Sequence, residues 1–261
     1  MTESISKKIN DRLYVSTVSS DAIEVADKYG IGIEIAQYCT AWNMDEYFSE
    51  TDLQVKSDMT HADRFVFHAP FNELCPAAID KKVLENTYDR YSQAVEIAEG
   101  YGISRMVCHS GYVPLVYFKN WFHDRSVEFW KNVLKKYQNM TFFLENVLED
   151  EPYMLTEIVK EIDDPRFRLC LDIGHANSLI SELPISEWVN VCAPYIGHIH
   201  IHNNEGGWDV HDPLFAGTIP MKETLELLIS LMPEDATITL ETLSTESSME
   251  WLADNNFIDR R

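Results

Sequence analysis

The sequence has no apolar run near the roughly 20 residues that a membrane-spanning helix needs. Its opening, MTESISKKIN, also lacks the apolar stretch of a signal peptide. Membrane insertion and secretion are disfavoured, and the cytoplasm is the expected compartment. Cysteine is sparse: Cys39, Cys75, Cys108, Cys170 and Cys192 are widely spaced and form no CxxC, and Cys108 and Cys170 sit inside apolar runs. Neither disulfides nor a Cys-based zinc site is expected. Basic residues are the largest shortage. Against 43 Asp and Glu stand 21 Lys and Arg, a formal net charge of −22 over 261 residues. Adhesion to nucleic acid or anionic membrane depends on clustered Lys and Arg, so neither partner is expected. Low-complexity segments and linkers are absent as well. With 45% apolar and 25% charged residues, the chain is neither disordered nor collagen-like, and residues 1–261 read as one domain able to bury a large core.

What is present is an alternation of short β-rich apolar runs with longer amphipathic stretches, the pattern of an α/β protein. The runs cover 13–18, 31–35, 64–68, 105–109, 141–145, 168–172, 196–200 and 237–241. Between them the period changes to about 3.6, as in Leu84, Tyr88, Tyr91, Val95 and Ala98. Asp80 is placed to cap that helix and Gly102 to follow it. Val127, Trp130, Leu134 and Tyr137 form a second such face, and Met221, Leu225, Leu228 and Met232 a third. From the second run onward, strand ends recur every 27 to 41 residues. Eight units of that size suit a closed (β/α)8 barrel, typically about 250 residues long. At the end of the first run and just after it, Ser16-Thr-Val-Ser-Ser20 has no glycine and so lacks the Gly-rich fingerprint of an open doubly wound sheet.

Six runs end in a residue that can ligate a metal: His68, His109, Glu145, Asp172, His200 and Glu241. One such residue would read as a satisfied polar group at a sheet rim. Six at one end of one barrel would concentrate charge that metal ions compensate. Asp172-Ile-Gly-His175 and Asp209-Val-His211 add two pairs, the second with both side chains on one side of extended backbone. Mixed imidazole and carboxylate suits Zn²⁺, Mn²⁺, Co²⁺ or Fe²⁺, and the lack of Cys ligands suits a catalytic rather than a closed structural site.

These motifs, HAPFNEL (68–74), CHSGY (108–112), LENV (144–147), CLDIGHAN (170–177), HIHIHNN (198–204), DVHD (209–212) and LET (240–242), resemble the xylose-isomerase-like TIM barrels. That superfamily includes sugar isomerases and epimerases, inosose dehydratases and endonuclease IV. The resemblance implies a TIM barrel in which Glu145, Asp172, His200 and Glu241 form the four-ligand site of the isomerases and epimerases. It matches His68, His109, His175, Asp209 and His211 to the further ligands of the endonuclease IV trinuclear site. One to three divalent ions (Zn, Mn or Co) are the implied cofactors.

The expected activity is therefore a metal-dependent isomerisation or epimerisation of a small sugar-like or polyol-derived carbonyl compound through an enediolate. Glu145 and Glu241 are the expected proton-transfer groups. Alternatives are an endonuclease IV-like phosphodiesterase, a dehydratase of the inosose type and a non-catalytic barrel subunit; a homo-oligomer stays open. The nuclease reading is disfavoured by scarce Lys and Arg in the strand-following loops: Lys119 and Arg125 follow the fourth strand, and none lies between Asn203 and Pro220. Glu34, Trp42, Tyr112, Trp121 and Trp208 are the expected substrate-binding residues, the aromatics as sugar-stacking faces. Leu243-Ser-Thr245 after the last strand has neither glycine nor base, which favours an unphosphorylated substrate.

Overall fold

A computed structural model describes residues 8–178 and 180–260. Eight parallel strands close into a barrel in chain order, β1 pairing with β8. They are β1 (Leu13–Ser16), β2 (Gly32–Ile35), β3 (Phe65–His68), β4 (Arg105–His109), β5 (Thr141–Glu145), β6 (Phe167–Asp172), β7 (Ile196–Ile201) and β8 (Thr237–Leu240). One main helix follows each strand: α1 (Ala22–Tyr29), α2 (Phe48–Asp58), α3 (Lys81–Gly100), α4 (Lys119–Lys136), α5 (Tyr153–Ile162), α6 (Ile185–Cys192), α7 (Met221–Leu231) and α8 (Glu246–Asp254). The expected α/β class and (β/α)8 barrel are both borne out.

The apolar runs form strands because their side chains are buried on both faces, inward to the barrel and outward to the helices. The helices present the expected faces: Tyr91, Val95 and Ala98 of α3 and Val127, Trp130 and Leu134 of α4 are buried. Asp80 caps α3 by accepting from the Lys82 N–H at 2.8 Å, and Gly102 takes a left-handed φ of 73° just past its end. Five strands (β2, β3, β6, β7 and β8) differ from the expected runs by one residue at one end, so that Glu241 follows β8, and β1 is shorter by two. β1 stops at Ser16 because the chain turns at once, Ser19 N–H bonding to the Ser16 carbonyl. After β4, α4 begins at Lys119.

Register brings the polar strand ends together. His109 lies opposite Glu145 on β4 and β5, and Asp172 opposite His200 on β6 and β7. Below this layer the interior is filled by Tyr14, Val66, Val107, Phe143 and Cys170. Gly197 makes room for it, since a Cβ there would sit 2.5 Å from the Phe143 ring.

Outside the strands, Trp130 anchors α4 on the barrel, its ring 5.1 Å from Phe167 and 5.6 Å from Phe142. Its Nε1 is buried without a hydrogen-bond partner. Trp130→Ala should therefore destabilise the fold by ~3–5 kcal/mol, and Trp130→Phe by much less. Urea unfolding of both variants checks this, and equal losses would refute the packing account.

Candidate metal centre

The three inward positions at the end of β7 carry histidines, because residues 198, 200 and 202 share one side of an extended strand. They form three tiers. His198 is deepest, its ring stacked on Phe143 and its Nε2 donating to Glu34 at 3.0 Å. Burial pushes His198 down to about 4, so it is neutral. His200 stands above it, with Nε2 on Glu34 at 3.2 Å and Nδ1 facing Glu145 at 3.2 Å, Glu241 at 3.0 Å and Asp172 at 3.7 Å. His202 is uppermost, its Nε2 3.1 Å from Asp172.

Around this column the strand ends form overlapping groups of donors whose atoms lie within 4.8 Å of one another: Glu145, Asp172, His200 and Glu241; His68, His109 and Glu145; and His175, His202, Asp209 and His211. Each could hold a metal ion. All nine residues expected to ligate metal fall within these groups. Burial would raise the Glu145 carboxyl, but His109 and His200 hold it well below the usual range. Asp172 is likewise held down against burial by His175 and His202. Burial pushes His109 down to about 4. His211 is raised to about 9 against burial, because Asp209 accepts from its Nε2 at 3.0 Å.

The donor set suits a cation. Glu145 Oε2 is buried without a hydrogen-bond partner, yet it lies 3.3 Å from His68 Nε2 and 3.4 Å from His109 Nε2. Three donors facing one another at that separation surround a point that an ion can occupy. Among the described residues, every ion-pair partner of Glu145, Asp172, Asp209 and Glu241 is a histidine. Cys170 also borders Glu145 and His200, but burial pushes its thiol well up and keeps it protonated.

Residues 22–255 match the family model described as xylose isomerase-like TIM barrel. The chain belongs to this family. An uncharacterized protein of Methanocaldococcus jannaschii is 29% identical over 208 residues, covering 71% of this chain and 66% of its own length, just under two thirds. Of solved structures, a D-tagatose 3-epimerase-like protein is 26% identical with a TM-score of 0.72, over 94% of this chain and 96% of that one. A Thermus thermophilus protein soaked with zinc chloride is 22% identical with a TM-score of 0.76, over 95% and 98% of the two chains. No described helix is long and apolar enough to cross a membrane.

Several expected substrate contacts are placed differently. Tyr112 is buried against Phe122, ring centroids 5.0 Å apart, and Trp121 on α4 donates to the Ala77 carbonyl at 3.0 Å with Arg125 over its ring. Both are held in the rim packing. Glu34 is fully buried behind His200 and bonded to His198, His200 and Thr239. It orients an imidazole and has no surface for a substrate hydroxyl. Trp42 and Trp208 are exposed. Sequence reasoning passed over His198 and His202, although their two-residue spacing from His200 was a signal for both.

Glu149, after β5, is a further buried carboxylate. Burial pushes it up to about 7, although Ser110 and the Val147 N–H, the latter at 2.6 Å, both donate to it. That value lies above the ordinary 4.5, so the native state keeps a proton the unfolded chain has lost. This stabilisation is full below about pH 4.5 and declines as pH rises through about 7. Metal-free Glu149→Gln should thus gain on the wild type from about pH 5 to about pH 8, by up to roughly 3 kcal/mol. A urea-unfolding difference that does not change with pH would overturn it.

Proposed function

We propose that this protein is a divalent-metal-dependent isomerase or epimerase of a small, uncharged, polyhydroxylated carbonyl substrate. The observation that carries this reading is the group formed by Glu145, Asp172, His200 and Glu241, in which two carboxylates from β5 and the end of β8 flank one ion-sized space. Similarity to a D-tagatose 3-epimerase-like protein supports the sugar class. When bound, a divalent ion would supply Lewis acidity that lowers the pKa of the proton α to a carbonyl.

The residues of this chain would do the rest. Glu145 and Glu241 each have a second carboxylate oxygen with which to accept or return a proton, one removing the α-proton and the other delivering it to the enediolate. His200, fixed by Glu34, and Asp172, fixed by the His175 N–H at 2.7 Å, hold the donor geometry. Trp42 and Trp208 are exposed, and their aromatic faces would cover a sugar ring. Loss of a hydroxyl from the same enediolate would give a dehydratase.

Glu145→Gln should keep a measurable share of metal while α-proton exchange with deuterium falls by about 10²–10⁴. Asp172→Ala should lose the metal outright. The substrate is first found with a panel of ketoses and inososes, and deuterium incorporation is then followed by NMR in metal-loaded protein. Near-wild-type exchange in Glu145→Gln would move the base to Glu241.

The number of donor groups favours a second reading, phosphodiester hydrolysis. Charge opposes it. Lys119 is paired with Asp150 at 2.6 Å and Glu151 at 3.1 Å, and Arg125 with Glu128 at 2.7 Å, leaving neither free for a phosphate track. Binding to an abasic-site duplex should be weaker than about 1 μM at physiological salt. Sub-micromolar affinity with a steep salt slope, or strand cleavage, would reverse the ranking.

A further inference from the structure

The resemblance supplied three donors for the upper group: His175, Asp209 and His211. A fourth stands among them. A ring nitrogen of His202 belongs to the same set, and His202 is fully buried, its ring stacked 4.1 Å from that of His211. Three separations within the set are 3.1 Å (His175 Nε2 to Asp209 Oδ2), 3.0 Å (His211 Nε2 to Asp209 Oδ2) and 3.5 Å (His202 Nε2 to Asp209 Oδ1). A tetrahedral zinc ion with ligands at about 2.0–2.1 Å has ligand–ligand edges of about 3.3 Å, so these separations fit one ion.

One further observation sets His202 apart from a packing histidine. The chain makes room for the ring: a Cβ on Gly174 would fall 1.9 to 2.4 Å from three of its atoms. The glycine of CLDIGHAN is therefore the space in which His202 lies.

We infer that His202 is the fourth protein ligand of a second ion, held with His175, Asp209 and His211 in a closed four-coordinate site. This rests on the reading of the barrel mouth as a metal centre. Catalytic zinc keeps a position open for water or substrate, whereas four protein ligands close the shell. The second ion would be structural. It would tie the end of β6 and β7 to the loop carrying Asp209 and His211, which the Asn203–Asp212 bridge already folds back. His211 sits there at a left-handed φ of 51°, a strained conformation in a non-glycine residue.

The test uses the full chain loaded with Zn²⁺ or Co²⁺. His202→Gln offers a poor ligand in place of the imidazole, and Gly174→Ala displaces the ring without changing a donor. Metal content after dialysis and the visible absorption of the cobalt form are the readouts; tetrahedral cobalt absorbs far more strongly than five- or six-coordinate cobalt. The wild type should hold at least two ions and show the strong tetrahedral bands. Both variants should lose one ion and those bands while keeping the other. Unchanged content and spectrum in both variants would overturn the assignment. Loss of all metal in both would also overturn it, because His202 would then act through Asp172. A wild type that binds no divalent metal would refute the underlying metal reading instead, and the outcomes are thus separable.

Discussion

Charge buried without a permanent counter-charge is the constraint on which the rest of this protein depends. Glu34, Glu145, Asp172, Asp209 and Glu241 converge with six imidazoles at one end of the barrel, and all but Asp209 and the partly exposed His109 and His211 are buried. Taking an isolated carboxylate from water costs several kcal/mol even after relaxation. Lys or Arg would offset that permanently and would leave the site chemically inert. Histidine offsets it conditionally, as a proton carrier or as a neutral ligand beside a cation. The parallel barrel is suited to this because its ladders end at a common rim, where neighbouring strands deliver polar side chains to one place, with the buried Glu34, His198 and Thr239 bonded to one another in the tier below.

How much of this was legible in the sequence follows from the same physics. The strands were legible because each is an apolar run buried on both faces, and their ends because the polar residue closing each run is where burial by the helices stops. Boundaries that depend on tertiary packing were not: nothing in Tyr112–His123 distinguishes a substrate flap from a helix start, and it is the bond from Trp121 to the Ala77 carbonyl and the seat of Tyr112 on Phe122 that decide it. Glu34 lies one residue inside β2, whereas Glu145 closes β5, and it sits one tier lower behind His200. His202 was visible in HIHIHNN, but its meaning depends on Gly174, a residue on another strand's loop.

The overall charge of −22 acts on a different scale from the site. Within the mouth, imidazoles offset carboxylates over a few ångströms. Outside the mouth, within a Debye length of about 8 Å of the surface, an approaching molecule meets an acidic exterior that repels anions. A phosphorylated sugar or a duplex would have to overcome this field without a free basic residue at Lys119 or Arg125 to receive it. A neutral polyol would not feel it.

The deepest tier explains how the catalytic tier keeps its shape. Thr239 donates to Glu34 at 2.7 Å, and neutral His198 donates to the same oxygen at 3.0 Å. Glu34 is held well below the usual carboxylate range against its burial, chiefly by His200 and His198, and accepts from His200 Nε2, with Nδ1 facing Glu145, Asp172 and Glu241. A carboxylate behind a ligating imidazole raises its basicity and locks its ring. Because His198, His200 and His202 share one side of one strand, any tilt of β7 would move all three tiers together. β7 is hydrogen-bonded to β6 and β8 along its length, so the rigidity of the ladder is transmitted directly to the ligand geometry, and the chemistry at the mouth inherits its precision from the closed sheet rather than from the loops above it.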